Sequence, residues 1–224
     1  LAAVEDAQLA MQQAQGEPRG TLRLTCGVEF GMLEVGQWIN RYLQRYPKVK
    51  VDAEMTGRIV DVVHEGFDLA IRLGPLPDST LTARRLGTLT YALYAAPSYL
   101  KQHRTPRHPH ELEQHPLLVF AAPSQRSHWH LSHGDQTHKV TLSPRFRSTN
   151  IFTIRDAAAE GLGIAALPKR VGDAGVREGK LRVVLKDWAP PDVPVHAVFA
   201  SARYLSPKVR AFVDLASESM QAND

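Results

Sequence analysis

Alternating and helically spaced apolar residues divide the chain into short regular segments. Thr21-Leu22-Arg23-Leu24-Thr25 alternates polar and apolar, as a strand with one covered face does. Met32, Val35, Ile39, Leu43 and Tyr46 then recur at helical spacing until Pro47, which cannot continue a helix. Val49 and Val51 predict a second strand, and Ile59, Val62 and Val63 with a terminal Gly66 predict a short second helix. Asp68-Leu69-Ala70-Ile71-Arg72 is mostly apolar, the pattern of a strand buried on both faces. Strand, helix, strand, helix, strand in this order implies parallel pairing through right-handed crossovers. Such an open doubly wound sheet binds ligands beyond the carboxyl ends of its strands.

Beyond residue 82 the pattern starts again. Residues 83–97 read as extended, and 103–116 are rich in proline and histidine. Strands are predicted at Leu117–Phe120 and at 163–168, a hairpin from Trp129 to Val140 about His133-Gly134-Asp135, and a helix over 151–161 closed by Gly161. Another extended segment, 195–200, leads into a helix from Pro207 to Met220, with Val209, Phe212, Val213 and Ala216 on one face. That helix is expected to return to the first unit. At the other end, residues 1–15 are good helix formers, with Leu1, Val4, Gln8 and Met11 on one stripe, and Gly16-Glu17-Pro18-Arg19-Gly20 breaks them. They read as the tail of a helix that starts upstream.

Composition narrows the class. The 224 residues are 43% hydrophobic and 22% charged, with no apolar run near the roughly 18 residues of a membrane helix. A single cysteine, Cys26, cannot form an internal disulfide, so a reducing cytoplasm is expected. The formal charge of +4 is too small and too evenly spread to make nucleic acid the ligand of these residues. No G-x-S-x-G, H-E-x-x-H, C-x-x-C, Walker loop or post-strand G-x-G-x-x-G occurs, and no acid–base constellation suggests catalysis. The chain therefore reads as a binding module and not an enzyme.

Three segments together carry a resemblance. They are Glu17-Pro18-Arg19-Gly20-Thr21-Leu22-Arg23-Leu24, the block from Val60 to Gly87 containing G-F-D-L-A-I-R-L-G with Ala95-Ala96-Pro97-Ser98-Tyr99-Leu100 after it, and A-A-A-E-G-L-G-I-A-A-L-P at 157–168. In order and spacing they resemble the effector-binding region of LysR-type transcriptional regulators. The resemblance implies an α/β fold of two Rossmann-like subdomains joined by two crossover strands, the type 2 periplasmic binding protein fold. It places subdomain I at 17–94 and 195–224 and subdomain II at 95–194, with 1–16 the end of a linker helix. It further implies a winged helix-turn-helix DNA-binding domain preceding Leu1, pairing into homodimers or homotetramers, and a small-molecule effector held between the subdomains. No cofactor and no membrane partner follow from it. A solute-binding protein of a transport system shares the fold and is the alternative.

The candidate effector-binding residues are loop residues at strand ends and their neighbours. Cys26-Gly27-Val28-Glu29-Phe30-Gly31 and Met55-Thr56-Gly57-Arg58 follow the first two strands, and Ser148-Thr149-Asn150-Ile151-Phe152-Thr153 opens the later helix. From these come Gly27, Val28, Glu29, Phe30, Thr56, Thr149, Asn150 and Phe152, to which Arg72 and Phe120 are added. Glu29 either sits in the first helical turn facing solvent or accepts hydrogen bonds from a hydroxylated or cationic ligand. Its charge would repel a carboxylate. Arg72 either pairs internally, with Asp68, Asp78 or a carbonyl near Pro75, or contacts ligand. Phe30, Phe120 and Phe152 are either core residues or apolar walls. Cys26 is read as a buried, inert thiol in preference to a redox sensor. His128, His130, His133 and His138 raise the thought of a metal, but nothing completes a ligand set, so none is assigned.

Overall fold

The computed structural model describes residues 16–121, 128–200 and 205–222, and the helix expected over residues 1–15 lies outside them. The chain divides into two compact units, Leu1–Thr88 with Val193–Asp224, and Leu89–Asp192.

In unit 1, strand β1 (Gly20–Cys26) runs into one helical turn at Val28–Phe30, a π-helical stretch at Gly31–Val35 and helix α1 (Gly36–Arg45). Strands β2 (Val49–Met55), β3 (Leu69–Leu73) and β4 (Thr82–Leu89) follow. The five-stranded sheet has the order β2-β1-β3-β12-β4, where β12 is Val193–Phe199. Both β2 and β3 pair in parallel with β1, in the register Leu22↔Val51 and Leu24↔Leu69. The parallel core read from the sequence is thus present. β12 runs antiparallel to β3 and places His196 opposite Arg72.

The expected helix at 59–66 is a correction: the segment makes a single turn. The Asp61 carboxylate accepts the N–H groups of Val63 and His64 at 3.1 and 3.0 Å, and Glu65 N–H reaches the Asp61 carbonyl at 3.1 Å. An aspartate that caps the turn locally, with the β-branched Ile59, Val60, Val62 and Val63 around it, competes with helix propagation. Val60 and Val62 nevertheless bury their side chains with Phe67 against Ala70.

On the other sheet face, the terminal helix Pro207–Gln221 packs against α1. The Tyr42 hydroxyl donates to the Lys208 carbonyl at 2.6 Å, and the Tyr42 and Phe212 rings meet edge to face at 5.2 Å. Lys208 in turn donates its Nζ to Asp68 at 2.7 Å, which ties that helix to the foot of β3. The return of the last helix to the first unit is therefore seen.

Unit 2 is built on a second five-stranded sheet. In chain order its elements are β5 (Tyr91–Ala95), α2 (Pro97–Gln102), a 3-10 helix (Pro109–Gln114), β6 (Leu117–Phe120) and the hairpin β7–β8 (His128–His133, Gln136–Thr141). After these come β9 (Pro144–Ser148), α3 (Ile151–Ala159), β10 (Ile164–Pro168), α4 (Lys169–Arg177) and β11 (Arg182–Val184). With β12 already placed, the terminal helix is α5. The sheet order is β11-β5-β10-β6-β9.

Two separate cores cover its faces. Leu93, Leu117, Val119, Trp129, Leu131 and Trp188 fill one side, and Tyr94, Leu118, Ile151, Ile154 and Leu167 fill the other. Gly161, at φ 77°, ends the α3 segment as its position predicted. The sequence reading passed over α4, because Gly172 and Gly175 inside it obscure its helical pattern.

Those glycines let α4 lie flat on the sheet. A Cβ at Gly172 would stand 2.2 Å from the ring of Tyr94, which is fully buried and held by its hydroxyl's 2.7 Å hydrogen bond to Asp173. Helix propensity alone favours alanine over glycine by about 1 kcal/mol, but overpacking a fixed ring costs about 1–3 kcal/mol. Gly172→Ala should therefore lower the stability measured by denaturant unfolding; a variant as stable as the parent would show that Tyr94 yields freely.

Candidate functional site

Parallel pairing brings the carboxyl ends of β1 and β2 side by side in unit 1. The Thr56 N–H donates to the Cys26 carbonyl at 2.9 Å, and Gly31 N–H to the Gly27 carbonyl at 2.8 Å. A Cβ at Gly31 would fall 2.6 Å from the Met55 sulfur, so the Met55 side chain occupies the space that the bare position leaves. Gly27, Val28 and Glu29 are half-buried along this edge, and Gly27 occupies the N-cap position of the turn they begin. Glu29 has no hydrogen-bond partner among the described residues. The Thr56 hydroxyl is engaged locally, accepting the Arg58 N–H at 3.3 Å. Phe30 is buried and packs edge to face on Trp38 at 5.6 Å.

Arg72 belongs to the same edge, and of its two expected roles the internal ion pair is not seen. Asp68 is taken up by the Arg23 N–H at 2.8 Å and by Lys208 at 2.7 Å, while Arg72 forms no ion pair among the described residues. One of its terminal nitrogens is buried without a partner, and burial holds the guanidinium below its usual range. The fully buried Thr25 hydroxyl and the Nδ1 of His196 are also unpartnered. The sequence reading missed both. The available signal was a polar residue inside an otherwise apolar strand, Thr25 after Leu22 and Leu24 and His196 between Val195 and Ala197.

Cys26 is buried, and desolvation pushes its thiol up to about 11, with the nearby Arg72 opposing weakly. This agrees with an inert thiol. The unfolded chain ionises Cys26 near pH 9 and the folded chain only near 11, so its contribution to stability is present below pH 9 and is lost as pH climbs through that window.

Unit 2 carries the remaining candidates. Asn150 is the N-cap of α3, its side-chain oxygen accepting the N–H groups of Phe152 and Thr153 at 2.9 and 3.2 Å. Thr149 is exposed beside it, Phe120 ends β6 opposite Ser148, and Phe152 is covered by the Arg155 guanidinium at 5.4 Å. Phe120 and Phe152 pack at the margin of the core, half-buried. The histidines do not form a set. Strand register puts His128 and His130 on one face of the hairpin and His133 and His138 on the other. Among the described residues no group of His, Cys, Asp and Glu is arranged to hold a metal.

Two shallow depressions of about 290 Å³ lie elsewhere. One is beside Arg45, Tyr46 and Asp214 in unit 1, the other beside Arg155, Asp156 and Lys180 in unit 2. Charged residues on the rim of the second are paired with each other, Arg155 with Asp156 and Lys180 with Glu178.

Comparison with known proteins gives one answer. The family model described as the LysR substrate binding domain matches residues 15–221. An "HTH-type transcriptional regulator" of Xanthomonas campestris pv. campestris is 34% identical over 94% of this chain, which spans 62% of that relative's length. Among solved structures, the full-length Vibrio cholerae virulence activator AphB has a TM-score of 0.78 at 27% identity, covering 96% of this chain and 73% of its own. The CrgA regulatory domain of Neisseria meningitidis has a TM-score of 0.78 at 26% identity, covering 91% of this chain and all of its own.

Two outcomes follow from this geometry. Asn150→Ala should cost about 1 kcal/mol of stability in thermal unfolding, whereas Asn150→Asp keeps the cap and should melt near the parent. Between pH 9 and 11 the parent should lose stability faster than Cys26→Ala; parallel pH profiles would mean that the thiol ionises alike in both states.

Proposed function

The chain belongs to the LysR substrate-binding domain family, and from that premise we propose that it is the effector-sensing and oligomerisation part of a transcription regulator. The observation that carries the reading is the match over residues 15–221, which takes in both units. The strand-end residues Gly27, Val28, Glu29, Phe30, Thr56 and Arg72 are the candidates for small-molecule contact in unit 1, and Phe120, Thr149, Asn150 and Phe152 are those in unit 2. The ligand favours one arrangement of the protein, and that preference is passed to DNA-binding domains elsewhere in the full-length regulator. The transport alternative is less well supported, since the curated relatives carry regulator names. Among the described residues no helix is long and apolar enough to cross a membrane. A regulator that meets DNA works in the cytoplasm, where a lone thiol stays reduced.

Pairing of two copies is supported by apolar side chains left exposed on the first helical segment and just beyond α3. Met32 and Leu43 are 64% and 37% exposed on the first helical segment, and Leu162 is 41% exposed just beyond α3. The helix spanning 32–46 of one copy packs against the 151–161 helix of another. Light scattering at tens of micromolar should give at least twice the 24.9 kDa chain mass. A clean monomer rules the pairing out. A thermal-shift screen over aromatic acids, amino acids, sugars and phenols should return compounds that raise the melting temperature, because a ligand bound to the native state alone stabilises it. Those compounds should then alter DNA binding by the full-length regulator.

A further inference from the structure

We propose that Thr25, Arg72 and His196 form one buried receptor for a carboxylate inside unit 1, so that the small molecule sensed is a monoanionic organic acid. This rests on the ligand-sensing reading above and adds the chemical class. Three adjacent strands carry the three residues. Thr25 on β1 pairs with Ala70 on β3, and His196 on β12 pairs with Arg72, while Val198 pairs with Ala70. Residues paired across a ladder share a face, and residues two apart on one strand share it too. Thr25, Ala70, Arg72 and His196 therefore stand together on one face of the sheet.

Each of the three contributes a polar atom that is out of solvent and has no partner among the described residues: Thr25 Oγ1, one Arg72 Nη and His196 Nδ1. Unpaired buried polar groups are rare in native proteins, and three on one patch of sheet call for a shared occupant. Thr25 is wholly buried, whereas Arg72 and His196 are half-exposed, which leaves a way in for a ligand.

Among the described residues no carboxylate forms an ion pair with Arg72 or His196. Carboxylates on the same face are committed: Asp52 to Arg23, Glu54 to Arg58, and Asp68 to Lys208. Arg85 lies within electrostatic reach of His196 and adds to the positive field. The occupant must thus be negative and accept hydrogen bonds. A planar guanidinium fork matches a carboxylate, with a hydroxyl and an imidazole N–H available to the remaining lone pairs. A single buried arginine suits a monoanion better than a phosphate.

The test is calorimetry and thermal shift on this chain with benzoate, acetate and inorganic phosphate, and with benzamide as the uncharged counterpart of benzoate. Carboxylates should raise the melting temperature and benzamide should not. Arg72→Met should weaken carboxylate binding about 10- to 100-fold and Thr25→Val several-fold, with far-UV circular dichroism unchanged. Without ligand, Arg72→Met should melt no lower than the parent, because an uncompensated buried cation is removed. The receptor is overturned if benzoate and benzamide shift the parent alike, if Arg72→Met keeps its carboxylate response, or if phosphate alone binds. It is also overturned if no carboxylate binds and Arg72→Met melts well below the parent, the behaviour of an arginine satisfied by ordered water. If sugars, phenols or amides bind and carboxylates do not, the carboxylate assignment falls while ligand sensing stands. If nothing in the wider screen binds either, both fall.

Discussion

Parallel register between β1 and its neighbours governs where this protein can do chemistry. Once Leu22 sits against Val51 and Leu24 against Leu69, the carboxyl ends of three strands must finish on one edge. The loops that leave β1 and β2 then meet, as the bond from the Thr56 N–H to the Cys26 carbonyl records. The interior side of the sheet is sealed by Trp38, Tyr42 and Phe212, so polar groups on it have no outlet. The other face has only a thin cover of Val60, Val62 and Phe67. Of its polar side chains, Arg23 and Asp52 pair with each other, and Asp68 accepts the Arg23 N–H and Lys208 of the terminal helix.

Much of the architecture was legible because strand burial leaves a pattern that needs no partner to interpret. Leu69-Ala70-Ile71 reads as a two-faced strand in the sequence and is one, fully buried in the structure. The hairpin about His133-Gly134-Asp135 and the helix that ends at Gly161 were legible for a similar reason, since local backbone geometry dictates the residue. The turn at 62–66 was not, because the decision there lies with side chains. An aspartate and a glutamate that spend their oxygens on nearby N–H groups defeat an apolar spacing that otherwise suits a helix. Helix α4 failed in the opposite sense. Gly172 and Gly175 look like breakers until Tyr94 and Leu181 are seen to fill the space their missing side chains leave.

The site was legible only in part. Chain order suffices to name the loops at strand ends, and so Gly27, Glu29 and Thr56 could be picked out. Roles could not be read in the same way. Asn150 looks like a ligand donor in the sequence, yet its oxygen is spent on two backbone N–H groups of its own helix. Arg72 looks like a structural ion-pair partner, yet the aspartate nearest in sequence is claimed by a lysine 140 residues away. Such allocations depend on contacts between distant segments, which periodicity does not encode.

The division of the chain also bears on how it is made. Unit 2 is one uninterrupted stretch, Leu89–Asp192, while unit 1 is assembled from segments on either side of it. On the ribosome, unit 2 has all its strands before β12 and α5 have been translated. Until those last segments emerge, β3 lacks its neighbour and Tyr42 lacks the carbonyl of Lys208. The inserted unit is therefore free to close first, and the sheet that opened the chain is completed last, by residues synthesised more than a hundred positions later. A nascent chain stalled before Val193 would expose the flank of β3 as an unpaired edge, the kind of surface on which strands of separate molecules join.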